Sequence, residues 1–182
     1  MQRDLARNVD RHFEAVVVAY QQPLFAYAYR MSGCRQDAEE VVQDVFVRAY
    51  RALKTYEPDR IRALALQAWL YRICINQVRN RHRRARVATA DVDLDTLPAS
   101  GEAHDSTAQR VERSENQREM QTLVSNLPPK YRSAILLRYV NELSYPEIAS
   151  ALEQPEGTVK SNVHRGMALL RDAIANQPGE TQ

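Results

Sequence analysis

The sequence predicts an all-α fold: two small helical domains joined by a flexible acidic linker. Three observations point there. Glycine is scarce, 5 of 182 residues, and long runs of Leu, Ala, Val, Arg, Glu and Gln favour helix over sheet. Apolar residues recur at spacings of three and four over residues 10–86 and again over 111–175, which is the signature of helices with one buried face. Between them, residues 87–110 lose that period, carry Pro98 and Gly101, and have little to bury. No internal repeat relates the two periodic stretches, so they are read as two different domains.

Composition removes several function classes. No apolar run approaches the ~20 residues that span a bilayer, and Met1 to Arg11 is polar and charged with no signal-peptide core, so a cytoplasmic protein without membrane insertion is expected. Cys34 and Cys74 lie far apart with no CxxC partner; reduced, mostly buried thiols are the expectation. His12, His82, His104 and His164 stand in unrelated contexts, which argues against a metal, a cofactor or an enzyme. Asp37, Glu40 and Asp44, at helical spacing, are the only carboxylate set from which a Mg²⁺ nuclease reading can be built.

The net charge of +2 hides a polarised distribution. From Tyr71 to Arg86 there are six arginines (Arg72, Arg79, Arg81, Arg83, Arg84, Arg86) and no acid; from Val87 to Gln109 there are five acids (Asp91, Asp93, Asp95, Glu102, Asp105) and no Lys or Arg. Cations complement a helix C-terminus, but six without one acid exceed that need. Phosphate contact is the better reading.

The first domain opens with a helix over about Arg11 to Met31, where Pro23 marks a kink or a split. Asp37 reads as the N-cap of a second helix with Glu40 as its reciprocal partner. Ala38, Val41, Val42, Val45, Phe46, Ala49 and Leu53 form its buried stripe; the opposite face carries Glu39, Glu40, Gln43, Asp44, Val47, Arg48 and Arg51. Pattern alone makes that face a solvated surface. Thr55 to Arg60 reads as a turn. A third helix buries Leu66, Trp69, Leu70, Ile73 and Val78 and ends in the arginine block, with Asn76 and Asn80 one turn apart before it. Tyr56 and Trp69 are the aromatics that could stack on an unpaired base, Trp69 being the better core residue.

In the second domain a helix near Val111 to Leu127 stops at Pro128-Pro129, and another follows from Lys130 to Val140 with Ile135, Leu136 and Tyr139 inward. Ser144 then caps a short helix with Glu147 at the capping-box position. A break at Glu153 to Gly157 leads to a last helix from about Thr158. Two short helices at a sharp turn, the second with a polar face, suit a helix-turn-helix. Glu156, Thr158, Lys160, Ser161, Asn162, His164 and Arg165 are expected to face outward, where their donors and acceptors suit base edges and phosphates. A plain helical hairpin with a polar outer face shares the pattern.

These residues resemble the extracytoplasmic-function (ECF, group IV) sigma factors of bacterial RNA polymerase. Four stretches carry the likeness: Asp37 to Phe46, Ala68 to Asn76, Leu127 to Arg132, and Glu147-Ile148-Ala149 with Gly157 to Ser161 and His164-Arg165. The resemblance implies a sigma region 2 helical bundle over 10–86, a flexible acidic linker over 87–110, and a sigma region 4 helix-turn-helix over 111–175. It implies that Glu39, Glu40, Gln43 and Asp44 bind the clamp helices of the largest polymerase subunit, with region 4 on the flap. It implies −10 contacts from Tyr56, Arg72, Asn76, Arg79, Asn80 and Arg83, with the loop from Tyr56 to Leu64 holding a flipped base. It implies −35 contacts from Thr158, Lys160, Ser161, Asn162, His164 and Arg165. Promoter DNA, core polymerase and an anti-sigma factor are the implied partners, promoter-specific transcription initiation in a stress response the implied role.

The sequence departs from that pattern at Asn162, where many members have Arg, at Gly166-Met167, where an Ala-Arg pair is usual, and at Glu153, where a turn glycine is usual. The acidic linker is expected to lie in a basic channel as a nucleic-acid mimic. The alternative function is a stand-alone helix-turn-helix regulator, which accounts for the second domain but not the first.

Overall fold

The structure, a computed structural model, describes residues 1–88 and 119–176, with side chains of 85–88 left aside. The described residues hold helices and no strand. Most of the expected linker, with Asp91, Asp93 and Asp95, lies outside them.

The first domain has five helices: α1 (Gln2–Arg7), α2 (Val9–Ser32), α3 (Arg35–Thr55), α4 (Pro58–Ala63) and α5 (Leu66–Ala88). α2, α3 and α5 form the bundle. Their apolar stripes supply its core, including Val16, Leu24 and Ala28 from α2, Val41, Val45, Ala49 and Leu53 from α3, and Leu70 and Cys74 from α5. α2 starts at Asn8, whose side chain accepts from the Arg11 N–H at 3.0 Å, and stops at Gly33 with φ 72°, the left-handed conformation that closes a helix. Pro23 neither splits nor ends α2. It sits on the exposed face, so the Ala19 carbonyl it leaves without a donor faces water.

Three expectations are corrected. Residues 2–7, left outside the first domain, form α1, and Leu5 is fully buried against the bundle. The turn after Tyr56 holds the short helix α4, with Pro58 in its first turn, where its missing N–H costs nothing. Cys34, not Asp37, is the N-cap of α3. Asp37 and Glu40 both turn to Arg81 of α5, at 3.4 Å for Asp37, so α3 and α5 are joined by ion pairs as well as by packing. Trp69 is core, packed on Tyr56 with ring centroids 6.0 Å apart.

The second domain comprises residues 119–125 (α6), α7 (Pro129–Ile135), a π-helical turn (Leu136–Val140), α8 (Tyr145–Leu152) and α9 (Glu156–Ala175). The π turn closes with the Asn141 N–H donating to the Leu136 carbonyl at 3.0 Å. Its wider turn carries Tyr139 past the inward face, so Tyr139 is exposed rather than buried as expected. Glu142, with φ 57°, turns the chain into α8.

The two domains share a core. Tyr27 of α2 and Ser133 of α7 hydrogen-bond at 2.7 Å in a buried setting. Arg132 donates to the Met31 carbonyl at 3.4 Å, and Gln67 to the Asn141 carbonyl at 3.3 Å. α8 lies along α5, and α7 touches α2.

Candidate nucleic-acid interface

At 100° per residue, Arg72, Asn76, Arg79 and Arg83 fall on one narrow stripe of α5, with Asn80 at its edge. Asn76, Arg79, Asn80 and Arg83 are exposed, and Arg72 is half-buried. Arg81 falls opposite and faces α3. The arginine block therefore divides: one side offers cations to solvent, while Arg81 is engaged by carboxylates. Sequence counting missed this split, although the helical wheel carries the signal. Tyr56 is half-buried between Trp69 and the Arg60 guanidinium, which lies 3.7 Å from its ring centroid. It caps the end of α3 instead of lying in an open loop.

On α3, Glu39, Glu40, Gln43 and Asp44 are exposed and contiguous. Val47, 47% exposed, adds an apolar spot to that face. Glu39 is paired with Arg35 at 2.9 Å and Glu40 with Arg81; Gln43 and Asp44 have solvent around them. The surface is acidic with an apolar patch, suited to a basic, partly apolar partner.

The helix-turn-helix is built from its caps outward. Ser144 Oγ accepts from the Glu147 N–H at 3.4 Å, and the Glu147 carboxylate accepts from the Ser144 N–H at 2.8 Å, a complete capping box. Glu153 ends α8 in the left-handed conformation, φ 56° and ψ 46°, at the place where glycine would sit without strain. α9 begins at Glu156, two residues earlier than expected. Its side chains at Thr158, Lys160, Ser161, His164 and Arg165 are exposed and share the N-terminal half of the helix, where unpaired backbone N–H groups also favour phosphate. Lys160 pairs with Glu156 at 2.7 Å and sits over the Tyr145 ring; that carboxylate raises the lysine's pKa, so it stays fully charged. Hydrogen bonds from Arg165 and Lys130 draw the Tyr131 hydroxyl below its usual pKa.

Asn162 is corrected: it is buried, and its amide donates to the Gln154 side chain at 3.3 Å, bracing the turn from inside. It is not among the outward residues. Gly166 also gains a reason. A Cβ there would meet Ile135 Cδ1 at 2.6 Å and Tyr131 Cβ at 3.2 Å, so the missing side chain lets α9 lie close on α7. Of the two cysteines, Cys74 is buried as expected, but Cys34 is exposed.

Comparison with protein families matches residues 16–87 to Sigma-70 region 2 and residues 117–170 to Sigma-70, region 4. The ECF RNA polymerase sigma factor SigW of Bacillus subtilis (strain 168) is 33% identical over 172 residues, covering 89% of this chain and 88% of that protein. The chain belongs to the ECF sigma factors of RNA polymerase. The ECF RNA polymerase sigma-E factor of Escherichia coli (strain K12) is also 33% identical, over 174 residues, covering 91% of this chain and 85% of that one. The SigE factor of Mycolicibacterium smegmatis is 32% identical over 93% of this chain, which spans only 64% of that longer protein. Two solved structures share the fold of this sigma factor. CnrH, in complex with the cytosolic domain of CnrY, matches with a TM-score of 0.69 and 24% identity over 97% of this chain and 96% of CnrH. RpoE of Bartonella quintana, in complex with the anti-sigma factor NepR, matches with a TM-score of 0.71 and 23% identity over 91% of this chain and 98% of RpoE. No helix among the described residues is long and apolar enough to cross a membrane.

Proposed function

We propose that this sigma factor acts in the cytoplasm as a non-enzymatic specificity subunit: it binds core RNA polymerase and directs initiation at promoters bearing −35 and −10 elements. Glu39, Glu40, Gln43 and Asp44 of α3 dock on the largest subunit, with region 4 on the flap. Arg72, Asn76, Arg79, Asn80 and Arg83 of α5 contact the −10 region, and Tyr56 stacks on a base freed by strand opening. Thr158, Lys160, Ser161, His164 and Arg165 of α9 lie on the −35 element; Asn162 supports them from within. An anti-sigma factor restrains the protein, a reading supported by the RpoE fold neighbour, whose complex contains one.

The observation that carries this reading is the placement of three separate polar faces on one chain of the sigma family: acidic on α3, cationic with amides on α5, and mixed hydrogen-bonding on α9. A stand-alone regulator needs only the last. The test is transcription in vitro. The purified protein is added to bacterial core polymerase free of other sigma factors, with a genomic fragment library, and transcript 5′ ends are sequenced. Discrete start sites sharing two spaced elements are expected. No transcripts, together with tight polymerase-independent DNA binding, would favour the regulator.

A further inference from the structure

Tyr56 has buried Trp69 against it on the core side, with ring centroids 6.0 Å apart and planes tilted by 54°. Its outer side is not open either. The Arg60 guanidinium lies over the ring, 3.7 Å from the centroid. A stacked base needs that same space, because planar groups rest on a ring face at van der Waals distance, about 3.5 Å. Any base that stacks on Tyr56 therefore has to deal with Arg60.

The backbone under Arg60 is fixed while its side chain is not. Next to it, Ile61 is buried and anchors α4. The far end of α4 is tied to α1, where the Gln2 side chain donates to the Leu64 carbonyl. Arg60 itself is exposed and makes no ion pair among the described residues, whereas Arg62 on the same helix is engaged by Asp59. A cation–π contact at an exposed site contributes little to a fold. Arg60 is thus a cation on a rigid mount with a head free to move.

We propose that Arg60 is the second wall of the site at Tyr56: a base freed by strand opening enters between ring and guanidinium, and Arg60 closes on its outer face. The inference rests on the sigma-factor reading and deepens it by naming a residue that grips the unpaired strand. The guanidinium is planar and weakly hydrated, so it stacks on a base as it does on tyrosine. Outright displacement would leave the base with one stacked face and the cation with no partner; the sandwich satisfies both. It also holds the positive charge beside the phosphates of the strand. Every base has a π-face, so this grip is the same for all four bases. Arg60 lies outside the arginine block, which is why charge counting passed over it.

The test uses holoenzyme assembled from the full chain and core polymerase, and promoter fragments whose non-template −10 strand is unpaired. Each unpaired nucleotide is replaced in turn by an abasic one, and affinity is measured. On the intact strand Arg60→Ala should weaken binding roughly two- to fivefold, the range open to an exposed cation–π contact. At the one abasic position that removes the gripped base, Arg60→Ala should cost nothing further. A loss that persists on every abasic strand overturns the sandwich, since a phosphate contact or a fold defect does not depend on a base. Tighter binding of the intact strand by Arg60→Ala overturns it too, because Arg60 would then compete with the base. Arg60→Lys keeps the charge without the plane and should recover only part of the base-dependent loss; full recovery would mean that charge alone acts. Arg62→Ala, on the same helix, should show no dependence on the base, and an equal dependence would overturn the assignment to Arg60. Transcription from the intact promoter by the same wild-type holoenzyme separates the two readings. Its absence overturns the sigma-factor reading and this inference with it, while a transcribing holoenzyme without the base-dependent loss overturns this inference alone.

Discussion

Single residues show where pattern and environment part company. Asn162 lies in a run of polar residues and reads as a recognition side chain, yet it is buried against Gln154. At 100° per residue it falls nearer to the buried Val159 than to Lys160 or Ser161. The signal was therefore in the sequence, overridden by residue type. Replacing Asn162 with Ala is expected to lower stability by about 1 kcal/mol, the usual worth of a hydrogen bond whose partner is left half-buried. It should leave the ranking of −35 variants unchanged. A thermal melt and a competition series over single-base −35 changes would check both parts; a reordered ranking would return Asn162 to the DNA face. Glu153 is the opposite case. Its departure from glycine was visible, but the contact it makes with Arg72 lies 81 positions away in the chain, and no local pattern reports that.

Elements were largely legible because their burial is periodic. The stripe of α3 and the capping box of α8 follow from spacing and cap chemistry alone. What spacing did not report is the partner of each polar face. α5 makes this concrete. Its arginines look equivalent in sequence, but Arg79 faces solvent and Arg81 faces Asp37 and Glu40. If Arg79 contacts phosphate, Arg79→Ala should reduce the slope of log affinity against log salt by about 1 for promoter binding by the holoenzyme. Arg81→Ala should leave that slope intact and cost at most about 1 kcal/mol of stability, because the pair is partly exposed and screened. Titrations of promoter binding over several salt concentrations distinguish the two. Equal changes in slope would mean that Arg81 leaves α3 when DNA binds. The π turn was not legible at all, since Leu136 to Val140 is an ordinary helical sequence and only the backbone hydrogen bond from Asn141 widens it.

At the scale of the whole molecule, the sequence separates two domains but does not show that they share one core. Tyr27, Tyr71 and Cys74 sit together near where the domains meet, and burial pushes all three pKa values up, the Cys74 thiol to about 12. The consequence for stability has a definite sign. These groups are neutral when protonated, and the fold holds them protonated beyond the pH at which the unfolded chain releases its protons. Their contribution is complete below the unfolded pKa values, about 8.5 for cysteine and about 10 for tyrosine, and is lost as pH rises toward the folded values. Acid side chains such as Asp10, whose pKa is lowered mainly by the hydrogen bond from Tyr50, act in the other direction and matter only below about pH 4. The protein should therefore be markedly alkali-sensitive. Cys74 alone is expected to remove about 3 kcal/mol by pH 10.5, with the tyrosines adding to the loss above that. Urea unfolding of the wild type and of Cys74→Ala at pH 7.5 and pH 10.5 measures it. Cavity formation lowers Cys74→Ala at both pH values, but its loss between them should be smaller than that of the wild type by about the cysteine share. Equal losses in the two proteins would show that the Cys74 thiol ionises in the folded state as readily as in the unfolded chain, and that the packing around it admits water.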